Sequence, residues 1–100
     1  MDDTTRAAFE RLLRIAHSDT GQSGRVADFI LAWWNAGRLG GFDLTDLFAV
    51  DRAIADDMSM VFSWLARQPE ARYPDEYRAG IEKVISLWRP DVLTATAATA

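Results

Sequence analysis

Residues 29–43 read FILAWWNAGRLGGFD, and the first half of that stretch decides the fold. With successive residues about 100° apart on a helix, Val26, Ala27, Phe29, Ile30, Leu31, Trp33 and Trp34 cover more than half of its circumference. Arg25, Asp28 and Asn35 fill the remainder. A helix at the edge of a bundle needs only a narrower apolar stripe. The spacing therefore predicts a central helix over 24–36, touched from two sides, whose adjacent tryptophans face different neighbours. Ser23 suits its N-cap, and Gly37, Gly40 and Gly41 suit its end and a tight redirection of the chain.

Helical spacing also dominates on either side, and no segment of useful length alternates with strand period. A first helix is predicted over 5–17, with Asp2, Asp3, Thr4 and Thr5 at its positive end and Phe9, Leu12, Leu13 and Ala16 on one face, widened by Ile15. HSDTGQSG breaks it. Beyond the central helix, RLGGFDLTDLFAVD reads as a connector with one short helical turn, where Asp43 and Asp46 resemble a capping pair. Leu44, Leu47, Phe48 and Val50 are its apolar anchors. Asp51 is placed to cap a helix over 52–67 that stops before Pro69. Ile54, Met58, Val61, Phe62 and Leu65 form its core stripe. Pro74 suits the first position of a last helix carrying Tyr77, Ile81, Val84, Ile85 and Trp88. Gly80 inside it costs about 1 kcal/mol relative to Ala unless a neighbour approaches closely. Pro90 ends that element. The expected fold is all-α, a compact bundle of four main helices plus one short helical turn, forming one domain over 1–90 with a flexible tail over 91–100.

Composition narrows the function classes. The apolar share of 49% and charged share of 26% are those of a globular chain, and eleven aromatics supply large side chains for a small core. Cysteine is absent, which removes disulfides, thiolate metal sites and cysteine nucleophiles and leans toward a reducing compartment. MDDTTRAAFE lacks the basic-then-apolar order of a secretory signal, and no apolar run approaches the roughly 18–20 residues of a membrane span. A cytoplasmic protein is expected. A net charge of −4 gives no general attraction to phosphate backbones or anionic membranes, and the basic residues are interspersed with acids, so neither nucleic acid nor membrane is an expected partner.

Catalytic signals are weak. His17 is the single histidine, and its place near a helix C-terminus suits capping. Ser18 and Ser23 lie near it, without a nucleophile elbow. One histidine without cysteine cannot build the paired His or Cys set of a zinc site. Asp43, Asp46, Asp51, Asp56 and Asp57 cluster in sequence, but lack the order of a calcium loop, and several stand where helix starts favour acids. TGQSGR precedes a helix start as phosphate loops do, without the preceding strand or the lysine. No enzyme and no cofactor are expected.

The informative anomaly is on the helix over 52–67, where Met60 and Trp64 lie one turn apart, off the core stripe and beside Asp57. Tryptophan is enriched at interface hot spots, and methionine surfaces adapt to partners. The expected function is a protein-binding module, an inhibitor or adapter, docking through Asp57, Met60 and Trp64, with Leu31 and Trp34 as contributors. Two alternatives use the same regions: a homodimer through this patch, and a small metal-dependent hydrolase using the carboxylates between Asp43 and Asp57.

The stretches LAWWNA and GGFDLTDLF, with YPDEY and WRP further on, resemble a family of small uncharacterised bacterial proteins associated with plasmids and other mobile elements. The resemblance spans residues 20–90, and departs at Phe48, where that pattern has a tryptophan. It implies a bacterial origin and a mobile-element setting, in which small proteins often bind and block or adapt a host protein. It carries over no catalytic or binding residue.

Overall fold

A computed structural model describes residues 1–93. The elements run α1 (Asp3–Ala16), α2 (Gly21–Leu39), a 3-10 turn (Leu44–Ala49), α3 (Arg52–Ala66), a second 3-10 turn (Asp75–Tyr77) and α4 (Arg78–Trp88). No strand occurs among the described residues, so the fold is all-α. Residues 90–93 are helical, and 94–100 of the predicted tail lie outside the described residues.

α1 begins where Asp2 accepts the Thr5 N–H at 2.8 Å, a bond that lowers the Asp2 carboxyl below its ordinary range. Its inward face carries Ala8, Phe9, Leu12 and Ala16, all fully buried. α2 starts three residues earlier than expected because Thr20, not Ser23, is its cap. The Thr20 hydroxyl accepts the Ser23 N–H at 3.2 Å and lies 2.7 Å from the Ser23 hydroxyl, so Ser23 is buried inside the first turn. α2 also runs further, with a break at Asn35 (φ −168°, ψ 82°). Asn35 accepts the Arg38 N–H at 3.2 Å and thereby caps a last short turn. Gly40, at φ 98°, then turns the chain through a conformation that favours glycine. Asp51 stands at the N-cap of α3 but makes no capping bond there. Its carboxylate accepts from Gln22 at 3.1 Å instead.

α1 packs against α2, α3 and α4, and α2 packs against α1 and α4. The helix over 24–36 is thus touched from two sides as its circumference requires, and α1 shares the centre with it. One core holds Phe9 and Leu12 of α1, Ile30 and Leu31 of α2, Met58 and Val61 of α3, and Ile81 and Val84 of α4. Polar ties fix the ends. The Trp88 indole N–H donates to the Ala16 carbonyl at 2.8 Å, and its ring lies close over Gly24, where a Cβ would stand 3.2 Å from it. Arg89 donates to the Leu39 carbonyl at 2.9 Å and to Asp28 at 2.6 Å.

Gly80 has the close neighbour its helical position calls for. A Cβ at Gly80 would stand 2.9 Å from Leu13 Cδ2, and the Gly80 carbonyl accepts from His17 Nε2 at 2.9 Å. Gly80→Ala sets a propensity gain of about 1 kcal/mol against overpacking that costs about 1–3 kcal/mol. The expected result in urea unfolding is that the wild-type background, where the Leu13 methyl must shift, gains less stability than a background without it. In a Leu13→Ala background the same change is expected to stabilise, because the obstructing methyl is gone. Equal effects in the two backgrounds would contradict the packing account.

Candidate functional site

α2 and α3 both lie on α1 but pack little against each other. The space between them is an open groove of about 570 Å³. Phe29 and Trp33 line it from α2, Met58 and Phe62 from α3, and Leu44 and Leu47 from the first 3-10 turn. Ser59 and Ser63 bring hydroxyls to it, and no charged side chain lines it. Phe42 packs edge-on against Phe29 with ring centroids 5.3 Å apart, bracing the connector against α2. Phe62 is 62% exposed and Leu44 68%.

The connector's geometry is set locally. Asp43 accepts both the hydroxyl and the N–H of Thr45, at 2.7 and 2.9 Å. These bonds, the hydroxyl's first, hold its carboxyl below the ordinary range. Asp46 pairs with Arg25 at 3.5 Å. The two acids therefore tie the 3-10 turn to itself and to α2.

Trp33 is also a wall of a second, smaller cavity of about 340 Å³, shared with Trp64, Gln68, Tyr73 and Glu76. The Trp33 and Trp64 rings are 6.4 Å apart, and the Trp33 indole N–H donates to the Arg72 carbonyl at 2.7 Å. The charged groups there are matched within the chain. Glu76 pairs with Arg6, and Glu70 with Arg72. Arg6 is raised above its ordinary range by the bond to Glu76 and then by Tyr77. The Tyr77 phenol is raised by burial and by its 2.7 Å bond to Glu10. This cavity is a mixed pocket whose charged side chains are paired within the chain.

The residues expected to dock a partner do not form one patch. Leu31 is fully buried: it belongs to the core and to no surface, because the α2 face it occupies is covered by the neighbouring helices. Asp57 is drawn into a two-pronged pair with Arg11 of α1, at 2.9 and 2.8 Å, and is only 14% exposed. Its partner lies 46 positions away, beyond any local spacing rule. Trp34 is half-buried under Arg78, whose guanidinium lies 5.0 Å from the ring centroid. Trp64 is half-buried against Trp33, and Met60 stands on the α3 edge away from the groove, 36% exposed. Of the five, Trp64 lines the smaller of these two cavities, and none lines the groove.

Phe62 was expected in the core stripe and is a wall of the open groove instead. Four residues advance a helix by about 40° beyond a full turn, so Phe62 falls just past Met58 at the margin of the buried face. The same spacing carries Met60 to the opposite margin. Among the carboxylates, Asp56 pairs with Arg52 at 3.0 Å, and no three His, Asp or Glu side chains among the described residues converge as a metal site requires. No helix among the described residues is long and apolar enough to cross a membrane.

The chain belongs to a family of unknown function, DUF7673, which matches residues 6–89. No curated protein and no solved structure matches it. The family match covers every residue that lines the groove.

The two aromatic positions of α3 separate by stability. Trp64→Ala removes half-buried packing and is expected to lower the free energy of unfolding by about 1–3 kcal/mol, below the full cost of a buried tryptophan. Phe62→Ser is expected to stay within about 0.5 kcal/mol of wild type, as surface substitutions do. Urea unfolding checks both, and a larger loss from Phe62→Ser would place that ring in the core.

Proposed function

We propose that this chain is a non-enzymatic protein-binding module and that its groove receives an apolar anchor presented by another polypeptide. The observation that carries the reading is the open groove of about 570 Å³, free of charged side chains and flanked by the exposed Phe62 and Leu44. An anchor side chain of Leu or Phe size gains about 1.5–3 kcal/mol on full burial. The walls are held by interactions that do not involve an anchor: Phe42 on Phe29, and Trp33 bonded to the Arg72 carbonyl. Such a site loses little freedom on binding, which favours affinity.

The smaller features fit this role. His17 is engaged with the Gly80 carbonyl, and Asp46, Asp56 and Asp57 are each matched by an arginine. A cytoplasmic setting suits a chain without cysteine. A bacterial, mobile-element context, in which the module adapts or inhibits a host protein, rests on the sequence resemblance.

Selection of displayed helical peptides on wild-type protein, with counter-selection on Phe62→Asp, tests the proposal. Peptides with an aromatic or leucine anchor are expected to bind wild type and to lose at least about tenfold in affinity, about 1.4 kcal/mol, on Phe62→Asp. No enriched peptide, or peptides indifferent to Phe62→Asp, would remove the groove as a binding site.

A further inference from the structure

The most exposed large apolar side chain of the described residues stands next to the groove. Phe48 is 92% exposed, on the same 3-10 turn that supplies Leu44 and Leu47 to the groove lining. A 3-10 turn repeats about every three residues. Leu44 and Leu47 therefore stack on the groove side, and Phe48 projects about a third of a turn away, beside the groove rather than into it. An exposed apolar projection and part of an apolar recess thus share one short turn. Under a two-fold axis, the projection of each copy meets the recess of the other, which is the self-complementarity an isologous interface requires.

We infer that this face is the interface of a symmetric dimer in which Phe48 of each copy inserts into the groove of the other. The inference rests on the groove being a protein-binding site and names the partner as a second copy of this chain. Size agrees: a dry cavity of about 150 Å³ accepts a benzene ring, and the groove measures about 570 Å³. Area agrees as well. Phe48, Phe62 and Leu44 alone leave roughly 400 Å² in water, taking about 200 Å² for a fully exposed side chain of this size. That is about half of the roughly 800 Å² each partner buries in a stable interface, from three side chains, two of them in the groove lining. Two of the nearby ion pairs are closed in place, Arg25 with Asp46 and Arg52 with Asp56.

Sedimentation equilibrium of the full chain from about 5 to 500 µM, with two complementary variants, tests the inference. Wild type is expected to dimerise with concentration. Phe48→Ala lacks the projection and Ser63→Trp fills the recess, so each alone is expected to be monomeric at every concentration. An equimolar mixture is expected to form a heterodimer, because the intact Phe48 of the second variant meets the open groove of the first. Should Ser63→Trp lose its helical circular dichroism, Ser59→Trp fills the same groove. A monomeric wild type at 500 µM overturns the dimer and leaves the groove reading standing if the selected peptides still bind. A dimer indifferent to Phe48→Ala, or a mixture that stays monomeric, overturns the reciprocal insertion.

Discussion

The Phe9 ring is the contact on which the rest of the structure depends. It is fully buried on α1, the helix against which the other three pack, and it meets Trp33 edge-on at 5.5 Å and Tyr77 at 5.0 Å. Aromatic pairs in such geometries contribute about 0.5–1.5 kcal/mol beyond their burial. Their larger consequence is positional. Trp33 is held from one side by Phe9 and from another by Trp64, and its indole N–H is committed to the Arg72 carbonyl. A side chain fixed at three points makes a rigid wall, and Trp33 is the wall common to both cavities.

The groove follows from what α1 does to its neighbours. α2 and α3 each bury their apolar stripe against α1, so neither has a full stripe left for the other. The gap between them is bridged at one end by the connector, where Phe42 rests on Phe29 and the 3-10 turn brings Leu44 and Leu47 across. A longer α3 stripe would have closed the gap. As built, the margin residue Phe62 remains in water, and Phe48 projects beside it. The aromatics thus fall into two sets: Phe9, Trp33 and Tyr77 hold the helices, while Phe48 and Phe62 stand in water.

Much of this architecture is legible in the sequence because helical period reports burial directly. The wide apolar arc over 26–34 does mark a helix touched from two sides, and the doubled tryptophan does resolve into an inward Trp33 and a Trp34 turned toward Arg78. Caps were harder to assign, since Thr20 and Ser23 are both good caps and only the tertiary setting decides that Ser23 is buried. Period alone does not say which flank of the α3 stripe a neighbour covers: the sequence singled out the flank of Met60 and Trp64, and the groove opens on the flank of Phe62. The fate of Asp57 depends on Arg11, far away in sequence, and the exposure of Phe48 depends on the three-residue period of a 3-10 turn that apolar composition does not reveal.

The central claim is that α1 organises the bundle so that Phe9 is sealed while Phe62 and Phe48 stay in water. The most direct test is fluorine NMR of the dilute chain with 4-fluorophenylalanine at its five phenylalanines, each resonance assigned by single substitution. The shift between H₂O and D₂O reports solvent contact. The account predicts no isotope shift at Phe9 and nearly the full shift at Phe48 and Phe62. A Phe62 resonance as protected as that of Phe9 would mean that α2 and α3 close on each other and that the groove does not exist.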